Sequence, residues 1–185
     1  MTVANPSNGA SHFHLLRRHA HTENKRPLVV FTPKSMLRLK AAATDVEQFT
    51  SGRFEPVIAD TTVDASKVNR VVLVSGKFYW DLVAERSKRN DETTAIVRME
   101  QLYPLDTDAV KEALSAYPAD AEIVWAQEEP ENQGAYPFMA LHLDPGLDGR
   151  TLRPVGRASS AAPATGLKKV HDFEQAEVIK RVFDK

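Results

Sequence analysis

Cysteine is missing from this chain of 185 residues, so disulfide bonds, thiolate metal sites and a cysteine nucleophile are excluded. An excess of one charge is missing as well, because 24 Lys and Arg residues oppose 25 Asp and Glu residues, for a formal net charge of −1. That balance gives no general reason to expect nucleic acid or an acidic membrane surface as a partner. No apolar run reaches the roughly 20 residues that cross a bilayer, and the first residues lack the apolar core of a signal peptide. We therefore expect a cytoplasmic protein that binds neither nucleic acid nor membranes.

The residues that are present have the composition of a globular protein. Hydrophobic residues make up 42% of the chain and charged residues 26%, a balance that allows a buried core. The length suits one domain, or one domain and part of another. The order of predicted elements along the chain favours the second of these.

A strand, a helix and a second strand are predicted between residues 94 and 127. The β-branched apolar run Thr94–Glu100 is typical of a buried parallel strand. Asp106 is placed to cap a helix, and Pro118 ends that helix because proline has no N–H to donate. Glu122–Gln127 is the second strand, so the unit is a crossover onto one parallel sheet. The predicted inward face of the helix consists of Val110, Ala113, Leu114 and Tyr117.

Strands and helices continue to alternate from residue 68 onward. Further strands are predicted at 70–75 and 152–155, and further helices at 77–88, 133–143 and 172–183. The last helix is predicted to have Asp172 as its N-cap and Phe173 on its inward face. This pattern indicates an α/β fold with three layers and a mostly parallel sheet. Ligands of such sheets gather at the carboxyl ends of the strands, which here carry Glu100-Gln101 and Gln127–Pro130.

The first 49 residues have a different character. Residues 1–11 are predicted to be irregular, and residues 12–20 to form a helix with Phe13 and Leu16 facing inward. A strand at 28–32 and the start of a second helix at 33–43 follow. These elements do not make a domain by themselves, so residues 1–49 are predicted to be a fragment of a second α/β domain. Residues 50–67, rich in Asp, Thr and Ser, are predicted to be a linker around an extended piece at 56–59.

Four of the six histidines lie close together in the sequence, at His12, His14, His19 and His21. H-x-H pairs bind metal ions when they lie on a strand or a mobile loop. The helix predicted here scatters the four rings around its axis instead. We therefore favour histidines without a metal over a metal site.

Acidic residues crowd the turn after the second strand of the crossover. Glu128, Glu129 and Glu131 could form a paired-carboxylate site or hold a divalent cation. The alternative is a solvated acidic turn, or one side of a salt-bridged interface. We favour that alternative, because the spacing alone does not require a catalytic site.

Two segments are candidates for phosphate binding. Ser75-Gly76-Lys77 follows a strand, as the end of a phosphate-binding loop does, but the earlier glycine of that motif is absent and Phe78 replaces its metal-binding hydroxyl. A basic group around the small-residue loop 158–166 could grip a phosphate or a partner's carboxylate, or could be a solvated rim; it consists of Arg153, Arg157, Lys168 and Lys169. Since no G-x-S-x-G elbow occurs either, the residues indicate an α/β domain without a self-sufficient active site.

Five segments, taken together and in this order, resemble a known family. They are HFHLLRRHA, RPLVVFTPKSMLR, RMEQLYPL, VWAQEEPENQGAY and RPVGRASSAAPATG. The chain resembles the C-terminal end of 2-oxoglutarate dehydrogenase, the thiamine diphosphate-dependent decarboxylating component. The likeness is greatest to actinobacterial forms, the multifunctional 2-oxoglutarate metabolism enzymes, whose parent chain also carries a fused succinyltransferase domain.

The resemblance implies a division of the chain and a role within a larger enzyme. Residues 1–49 would be the tail of the domain that binds the cofactor's pyrimidine ring, 50–67 a linker, and 68–185 a transketolase-like C-terminal domain. The parent reaction in the tricarboxylic acid cycle would decarboxylate 2-oxoglutarate and pass the succinyl group to lipoamide on the succinyltransferase component. Thiamine diphosphate and Mg²⁺ would be held by segments upstream. This chain would pack against those upstream domains and contribute to a homodimer, and would have no catalytic residue and no activity by itself.

The resemblance also implies an allosteric site for acetyl-CoA between the two portions. Thr2, Arg18, Arg53 and Gln101 match positions associated with it. The chain departs from the family pattern at Asp108-Ala109, where a basic pair is expected, and at Pro56, where a serine is expected. Two missing cations and an added carboxylate should weaken the binding of a polyanion.

A stand-alone module that binds a CoA-like ligand or a partner subunit, without chemistry of its own, is the alternative function. The two readings differ in the surface they predict. A fragment of a larger domain should leave Phe13, Leu15, Leu16 and Val29 without a full core and should self-associate. An independent module should be soluble, as a monomer or a defined dimer.

Overall fold

The computed structural model of the protein describes residues 1–147 and 149–184. In chain order the strands are β1 (Thr2–Ala4), β2 (Leu28–Val30), β3 (Val57–Ile58), β4 (Arg70–Val74), β5 (Thr94–Met99), β6 (Gln101–Tyr103), β7 (Glu122–Pro130) and β8 (Leu152–Arg157). The α-helices are α1 (Gly9–His21), α2 (Glu47–Thr50), α3 (Phe78–Arg89), α4 (Thr107–Ser115), α5 (Tyr136–His142) and α6 (Lys168–Phe183). Short 3₁₀ turns occupy Lys34–Arg38, Lys40–Ala42, Ala65–Lys67 and Asp144–Gly146.

The larger sheet has five strands in the order β3-β5-β4-β7-β8. Strands β5, β4, β7 and β8 are parallel to one another, and β3 runs antiparallel to β5 at the edge. Strand β4 lies in the middle, with Val72 opposite Ile96 on one side and Val124 on the other. All five residues of β4 are buried, because a central parallel strand is covered on both faces.

Alternate residues of the strands supply two cores, one on each face of this sheet. Val71 and Leu73 of β4 belong to the core that includes residues of α4 and α5. Val72 and Val74 belong to the core that includes residues of α3 and α6. This alternation places helices on both faces, so the predicted α/β architecture is confirmed.

Helix α4 begins and packs as its sequence predicts. The Asp106 carboxylate accepts a hydrogen bond from the Ala109 N–H at 3.0 Å, which caps the first turn. Val110 and Leu114 are buried, and Tyr117 is buried just beyond the helix. The strand after it is longer than predicted, since β7 continues to Pro130.

A second, smaller sheet joins the beginning of the chain to its middle. Its order is β2-β1-β6, with β1 parallel to β2 and antiparallel to β6. The prediction that residues 1–11 are irregular is therefore wrong, because Thr2–Ala4 is the central strand of this sheet and α1 already begins at Gly9. Both strand partners of β1 are distant in sequence, so the local pattern carries no sign of this pairing.

The buried face of α1 is not the one predicted. Phe13 and Leu16 are 42% and 48% exposed, whereas His14 and Leu15 are buried. Ser11 is buried beside them. The Ser11 hydroxyl donates to the buried Glu100 carboxylate, and His14 bonds the Gln48 carbonyl.

Two further helix predictions need correction. Residues 33–43 form two 3₁₀ turns and not the start of an α-helix. Helix α6 begins at Lys168, before Asp172, so Asp172 is not its N-cap. Phe173 is 67% exposed, and the helix buries Val178 and Val182 instead.

The segment 50–67 contains the predicted extended piece, since Val57–Ile58 forms β3 at the edge of the large sheet. Asp60 next to it is nearly buried, and its carboxylate contacts the Arg86 guanidinium and accepts a hydrogen bond from the Ile96 N–H at 2.8 Å. This segment is thus tied to the large sheet. The predicted domain boundaries at residues 49 and 67 stay a prediction.

Candidate functional site

Glu100, at the carboxyl end of β5, joins the two sheets. Its side chain is fully buried, and Oε2 accepts hydrogen bonds from the Ser7 N–H at 2.8 Å and from the Ser11 hydroxyl at 2.5 Å. Oε1 is buried without a hydrogen-bond partner among the described residues. A buried carboxylate held by two donors from the first eleven residues fixes the start of the chain against the large sheet.

The turn formed by residues 5–7 covers the ends of β4 and β5. The Asn5 N–H donates to the Glu100 carbonyl at 2.9 Å, and the Trp80 indole N–H donates to the Ser7 carbonyl at 2.7 Å. Gly76 donates its N–H to the Asn5 carbonyl at 3.1 Å. The carboxyl ends of these strands, where a ligand was expected, are therefore occupied by the protein's own N-terminal turn.

Position 76 requires glycine, because any other residue type would be strained there. Its φ angle is +60°, and a Cβ built there would lie 2.2 Å from the Asn5 Oδ1 atom. Ser75 accepts a hydrogen bond from the Asn5 amide at 3.2 Å. The Ser75-Gly76-Lys77 turn is thus used to hold Asn5 and is not an open phosphate-binding loop.

A cleft of about 420 Å³ opens between the end of α1, strand β1 and strand β6. We call it the N-terminal cleft. Three of the four residues predicted for the acetyl-CoA site line it, namely Thr2, Arg18 and Gln101. The rest of its wall consists of Met1, Leu15, His19, Thr22, Asn24, Arg26, Leu28, Tyr103 and Pro104.

Arg18 and Gln101 are held in place by contacts with each other and with the floor of the cleft. The Arg18 guanidinium donates to the Gln101 Oε1 atom, and the Gln101 amide donates to the Pro104 carbonyl at 2.8 Å. The guanidinium also lies 4.3 Å from the centre of the Phe54 ring. Burial lowers the pKa of Arg18 from its ordinary value, yet an arginine stays charged at any physiological pH. The cleft therefore presents a fixed positive charge.

The fourth predicted residue, Arg53, lies elsewhere. It lines a neighbouring cleft of about 280 Å³ together with His14 and Arg98. Its guanidinium pairs with Glu55 at 2.7 Å and its side chain is 82% exposed. The structure thus brings together three of the four residues and leaves Arg53 in the adjacent opening; the ligand-binding role of all four stays a prediction.

The two departures from the family pattern have definite positions. Asp108 lies in the first turn of α4 and does not line the N-terminal cleft. The Pro56 carbonyl accepts hydrogen bonds from the N–H groups of Glu100 and Gln101, at 2.9 and 3.1 Å. Pro56 therefore supports the backbone behind Gln101 but offers no hydroxyl to a ligand.

The four clustered histidines are distributed around α1. His14 is buried and its Nε2 donates to the Gln48 carbonyl at 2.8 Å, since a carbonyl can only accept. His19 lines the N-terminal cleft, whereas His12 borders a different groove. Across residues 1–147 and 149–184, no group of three or more His, Asp or Glu side chains is arranged to hold a metal ion.

Glu128 and Glu129 lie within β7 and not in the predicted turn after it. Glu128 pairs with Lys77 and accepts a hydrogen bond from the Gln175 amide at 2.8 Å. Glu129 is exposed and follows Glu128 in the same strand, so their side chains point to opposite faces. Burial, and to a lesser degree the charge of Glu128, raises the pKa of the nearby Asp81, against the lowering effect of Lys77. Glu128 and Glu129 therefore do not form a paired-carboxylate site, and Glu128 instead shares Lys77 and Gln175 with Asp81.

Gln127 is buried where β7 begins to leave the sheet and organises the turn that follows. Its Oε1 accepts hydrogen bonds from the Trp125 indole and the Tyr136 N–H, both at 2.9 Å. Its amide donates to the Pro130 carbonyl at 2.9 Å and the Gln133 carbonyl at 2.7 Å. With all of its main hydrogen bonds made inside the protein, Gln127 has no free group for a ligand.

The basic residues around the loop 158–166 do not converge on one point. Arg153 pairs with Glu122 at the beginning of β8, whereas Arg157 at its end contacts Glu174 at 3.4 Å and the His171 Nδ1 atom at 2.9 Å. Lys168 pairs with Asp172, four residues along its own helix. Arg153, Arg157 and Lys168 each have a partner and Lys169 is exposed, so these residues do not form a common anion grip.

Sequence reasoning missed Arg26 and His19 as residues of the N-terminal cleft, and Glu100 as the link between the two sheets. Arg26 begins the segment RPLVVFTPKSMLR, but nothing local assigns it to a cleft that forms only when β2 pairs with β1. The charge of Glu100 after an apolar strand was visible, but its partners Ser7 and Ser11 were not.

The fold and the cleft define an α/β protein with a cationic opening where two sheets meet. In the part of the chain that the structure covers, none of the helices has the length and apolar character required to cross a membrane. Comparison with known proteins identifies the family. The model of the family described as 2-oxoglutarate dehydrogenase C-terminal matches residues 43–183.

Similar curated proteins agree with that match. The 2-oxoglutarate dehydrogenase E1/E2 component of Corynebacterium glutamicum is 48% identical over 187 residues, which cover 100% of this chain. The multifunctional 2-oxoglutarate metabolism enzymes of Mycobacterium sp. strains KMS and MCS are each 45% identical over 190 residues, covering 99% of it. The chain belongs to the 2-oxoglutarate dehydrogenase C-terminal family. It spans 15% of the length of these relatives.

Proposed function

We propose that this chain is the C-terminal portion of a thiamine diphosphate-dependent 2-oxoglutarate dehydrogenase of the tricarboxylic acid cycle, with a transketolase-like C-terminal domain. The observation that carries the proposal is a match over the whole chain to relatives that are about sevenfold longer, since it covers 15% of their length. On this proposal the segment packs against upstream domains, contributes to a homodimer and works in the cytoplasm. It does not decarboxylate 2-oxoglutarate by itself.

The surface of the first 46 residues supports the packing role. A groove of about 570 Å³ there is lined by apolar side chains, which are Phe31, Pro33, Met36, Leu37 and Leu39. Phe13, Leu16 and Val29 are also exposed, whereas Leu15 is buried. Large apolar side chains that lie together on a surface usually meet another protein surface. The upstream domains of the parent chain are the partner that fits this proposal.

Thiamine diphosphate and Mg²⁺ belong, on this proposal, to the upstream segments. The described residues do not fit a metal site, because their carboxylates and imidazoles are not grouped in threes. No chemical step is therefore assigned to a side chain of this segment. The succinyltransferase component with its lipoyl group would accept the product from the parent enzyme.

Acetyl-CoA is the proposed allosteric ligand of the N-terminal cleft. The grouping of Thr2, Arg18 and Gln101 around one opening supports this, because a fixed guanidinium can pair with a phosphate of the ligand. Arg53 lies in the adjacent cleft and could reach the ligand only from its rim. We expect Pro56 to limit the affinity because it offers no hydroxyl, whereas Asp108 does not line this cleft and can act on a ligand there only through its charge.

The size of the native protein tests the proposal. An immunoblot with an antibody against this segment, on extracts of the source cells, should show a band several-fold heavier than 20.6 kDa. A band at 20.6 kDa alone would contradict it. The upstream protein would then have to be sought as a separate subunit by co-precipitation.

A stand-alone module that binds a CoA-like ligand or a partner subunit remains the second candidate. It is favoured by one observation, which is that Thr2, Arg18 and Gln101 converge on one cleft within these 185 residues. A module of this kind should melt in one sharp transition without binding a dye for exposed apolar surface. Strong dye binding below the transition would count against it.

A further inference from the structure

We propose that helix α6 is a contact surface for a second copy of this chain, with two α6 helices packed antiparallel about a two-fold axis at Phe173. The inference rests on the proposed function and deepens it, because it names the surface through which this segment contributes to a homodimer.

Helix α6 buries one face and leaves the opposite face exposed. Val178 and Val182 pack into the core that includes residues of α3. Phe173 is 67% exposed, because it lies about 140° and about 180° around the helix from these two valines. Leu167 and Val170 extend the exposed apolar surface toward the start of the helix. Large apolar side chains that lie together on a surface usually meet another protein surface.

Two charged residues flank Phe173 at equal distances along the helix. Lys169 precedes it by four residues and Glu177 follows it by four, so the three side chains lie on one stripe. Among the described residues, neither Lys169 nor Glu177 takes part in a salt bridge, whereas the neighbouring Lys168 pairs with Asp172. The two ends of the stripe therefore carry opposite charges that can pair with another molecule.

This arrangement of charges is self-complementary. A two-fold axis through Phe173, perpendicular to the helix, makes the second helix antiparallel, so the position four residues before the centre faces the position four residues after it. Lys169 then faces Glu177 of the partner subunit, and Glu177 faces the partner's Lys169. A parallel arrangement would instead place Lys169 against Lys169 of the partner subunit and would be repulsive. The stripe thus fits an antiparallel second copy.

The composition of the stripe is that of the centre and rim of a small interface. An aromatic side chain at the centre with charged residues around it is typical of protein–protein contacts. A pair of helices alone buries less than the roughly 1,200 Å² at which stable interfaces begin. Association of the 185-residue chain through α6 should therefore be weak, and in a longer parent chain it should add to other contacts.

Sedimentation equilibrium of charge-exchanged variants tests the contact. All variants carry Leu37→Gln, so that the apolar groove of the first 46 residues contributes little to association. Lys169→Glu and Glu177→Lys should each weaken self-association by about tenfold, because like charges then face each other twice across the axis. The double variant should restore association to within about twofold of the parent, because both pairs form again with exchanged charges. Since these two positions are about 12 Å apart along one helix, a pair within one chain does not explain a rescue.

Two further variants control for net charge and for the apolar centre. Lys168→Glu changes the net charge as Lys169→Glu does, but Lys168 points away from the stripe, so association should change by less than about twofold. Phe173→Gln should weaken association by about tenfold or more, because it removes the central apolar side chain. Far-ultraviolet circular dichroism of each variant shows whether a change in association reflects a loss of fold.

The outcomes separate this inference from the proposed function. A double variant that associates no better than the single variants, or a parent chain that stays monomeric at its highest soluble concentration, would overturn the α6 contact. The immunoblot tests the longer parent chain independently. A rescue together with a band at 20.6 kDa alone would keep the contact and reject the parent chain, and a heavy band without a rescue would do the reverse.

Discussion

The two regions of this molecule differ in how completely they bury their apolar residues. The five-stranded sheet has a separate core on each face, and strands β4, β5 and β7 are almost wholly buried. The region around the three-stranded sheet has a core of only Ala4, Leu15 and Phe54, with Leu28 and Val30 packed against it. Eight of the thirteen exposed large apolar residues lie within residues 1–46, about a quarter of the chain. One region buries its apolar residues in its own two cores, whereas the other has a small core and leaves more of its large apolar side chains exposed.

The difference explains why polar contacts matter so much in the smaller region. A region with little apolar burial gains little stability from the hydrophobic effect. Polar and close contacts connect this region to the larger sheet: Glu100 accepts hydrogen bonds from Ser7 and Ser11, and Asn5 packs against Gly76. Substitutions at the contacts between the two regions, and in each region alone, should therefore change the free energy of unfolding by different amounts.

Removal of the Glu100 carboxylate should lower the free energy of unfolding more than the other substitutions. Glu100→Ala leaves the Ser7 N–H and the Ser11 hydroxyl buried without an acceptor, at a cost of about 3 kcal/mol in the free energy of unfolding. Native-state hydrogen exchange should show faster exchange in α1 and β1, while β4 and β7 change little. Glu100→Gln is the control, because it keeps one acceptor oxygen and should lose less. Equal acceleration in all strands would mean that the two regions unfold together.

A side chain at Gly76 should have the next largest effect. Gly76→Ala places a Cβ where the Asn5 amide lies and forces φ +60° on an alanine, which we expect to cost about 2 kcal/mol. Gly149→Ala is matched to it, because Gly149 has φ +83° with nothing within 4 Å of the added Cβ. Urea denaturation should therefore give about 1 kcal/mol for Gly149→Ala, from backbone strain alone. Identical losses in the two variants would show that the Asn5 contact contributes nothing.

Low pH should destabilise the larger region, because the Asp60 carboxylate becomes protonated. Burial by itself would raise the pKa of Asp60, but hydrogen bonds from Thr62, the Ile96 N–H and Arg86 outweigh it and hold the pKa below its ordinary value. A carboxyl group with a lowered pKa stabilises the folded state above the ordinary pKa of about 4, and that contribution is lost as the pH falls through the folded-state pKa. The free energy of unfolding should thus decline below about pH 4.

Asp60→Asn tests whether this group is responsible for the acid sensitivity. The variant should be less stable than the parent at pH 7, since Arg86 loses its buried partner. The gap between the variant and the parent should narrow as the pH is lowered to 3. A gap that stays constant would assign the acid sensitivity to other carboxylates, such as Asp91 and Glu122, whose pKa values are also lowered.

Substitution of an exposed apolar residue should have the smallest effect on the free energy of unfolding, but it should reduce self-association. Leu37 is 86% exposed, so Leu37→Gln should change the free energy of unfolding by less than about 0.5 kcal/mol. It should nevertheless reduce dye binding and self-association in light scattering, because Leu37 lines the apolar groove. Leu141→Gln, an exposed leucine of the larger region, is the matched variant and should reduce them less. If Leu141→Gln reduced dye binding and self-association more than Leu37→Gln, the surface responsible for association would be on α5.

Much of the larger region could be predicted from the sequence because its signals are local. The apolar run of β5, the Asp106 cap of α4 and the apolar run of β4 each describe a nearby backbone, and all three are found where they were expected. The predictions fail where a distant segment decides the outcome. Phe13 and Leu16 satisfied a helical pattern, but the inner face of α1 carries Ser11, whose hydroxyl donates to a carboxylate 89 residues later in the chain.

The candidate site shows the same division. The resemblance pointed to Thr2, Arg18 and Gln101, and the structure places all three around one cleft. The resemblance could not exclude Arg53 from that cleft or add Arg26 to it, because the tertiary structure decides both positions. Arg26 reaches the cleft through the pairing of β2 with β1, and Arg53 is turned toward Glu55.

The sequence by itself determined that no cysteine chemistry is available, that most of the chain forms an α/β sheet, and that the protein belongs to the 2-oxoglutarate dehydrogenase C-terminal family. These follow from composition, from periodicity and from ordered motifs, all of which are readable along the chain. Only the tertiary structure decided that Thr2–Ala4 is a strand, which face of α1 is buried, and which cations share a cleft. Arg18 and Gln101 are 83 residues apart, and Ser7 and Glu100 are 93 apart. Contacts over such separations form only when strands pair in the folded chain. They persist because a buried polar group without a hydrogen-bond partner destabilises the fold.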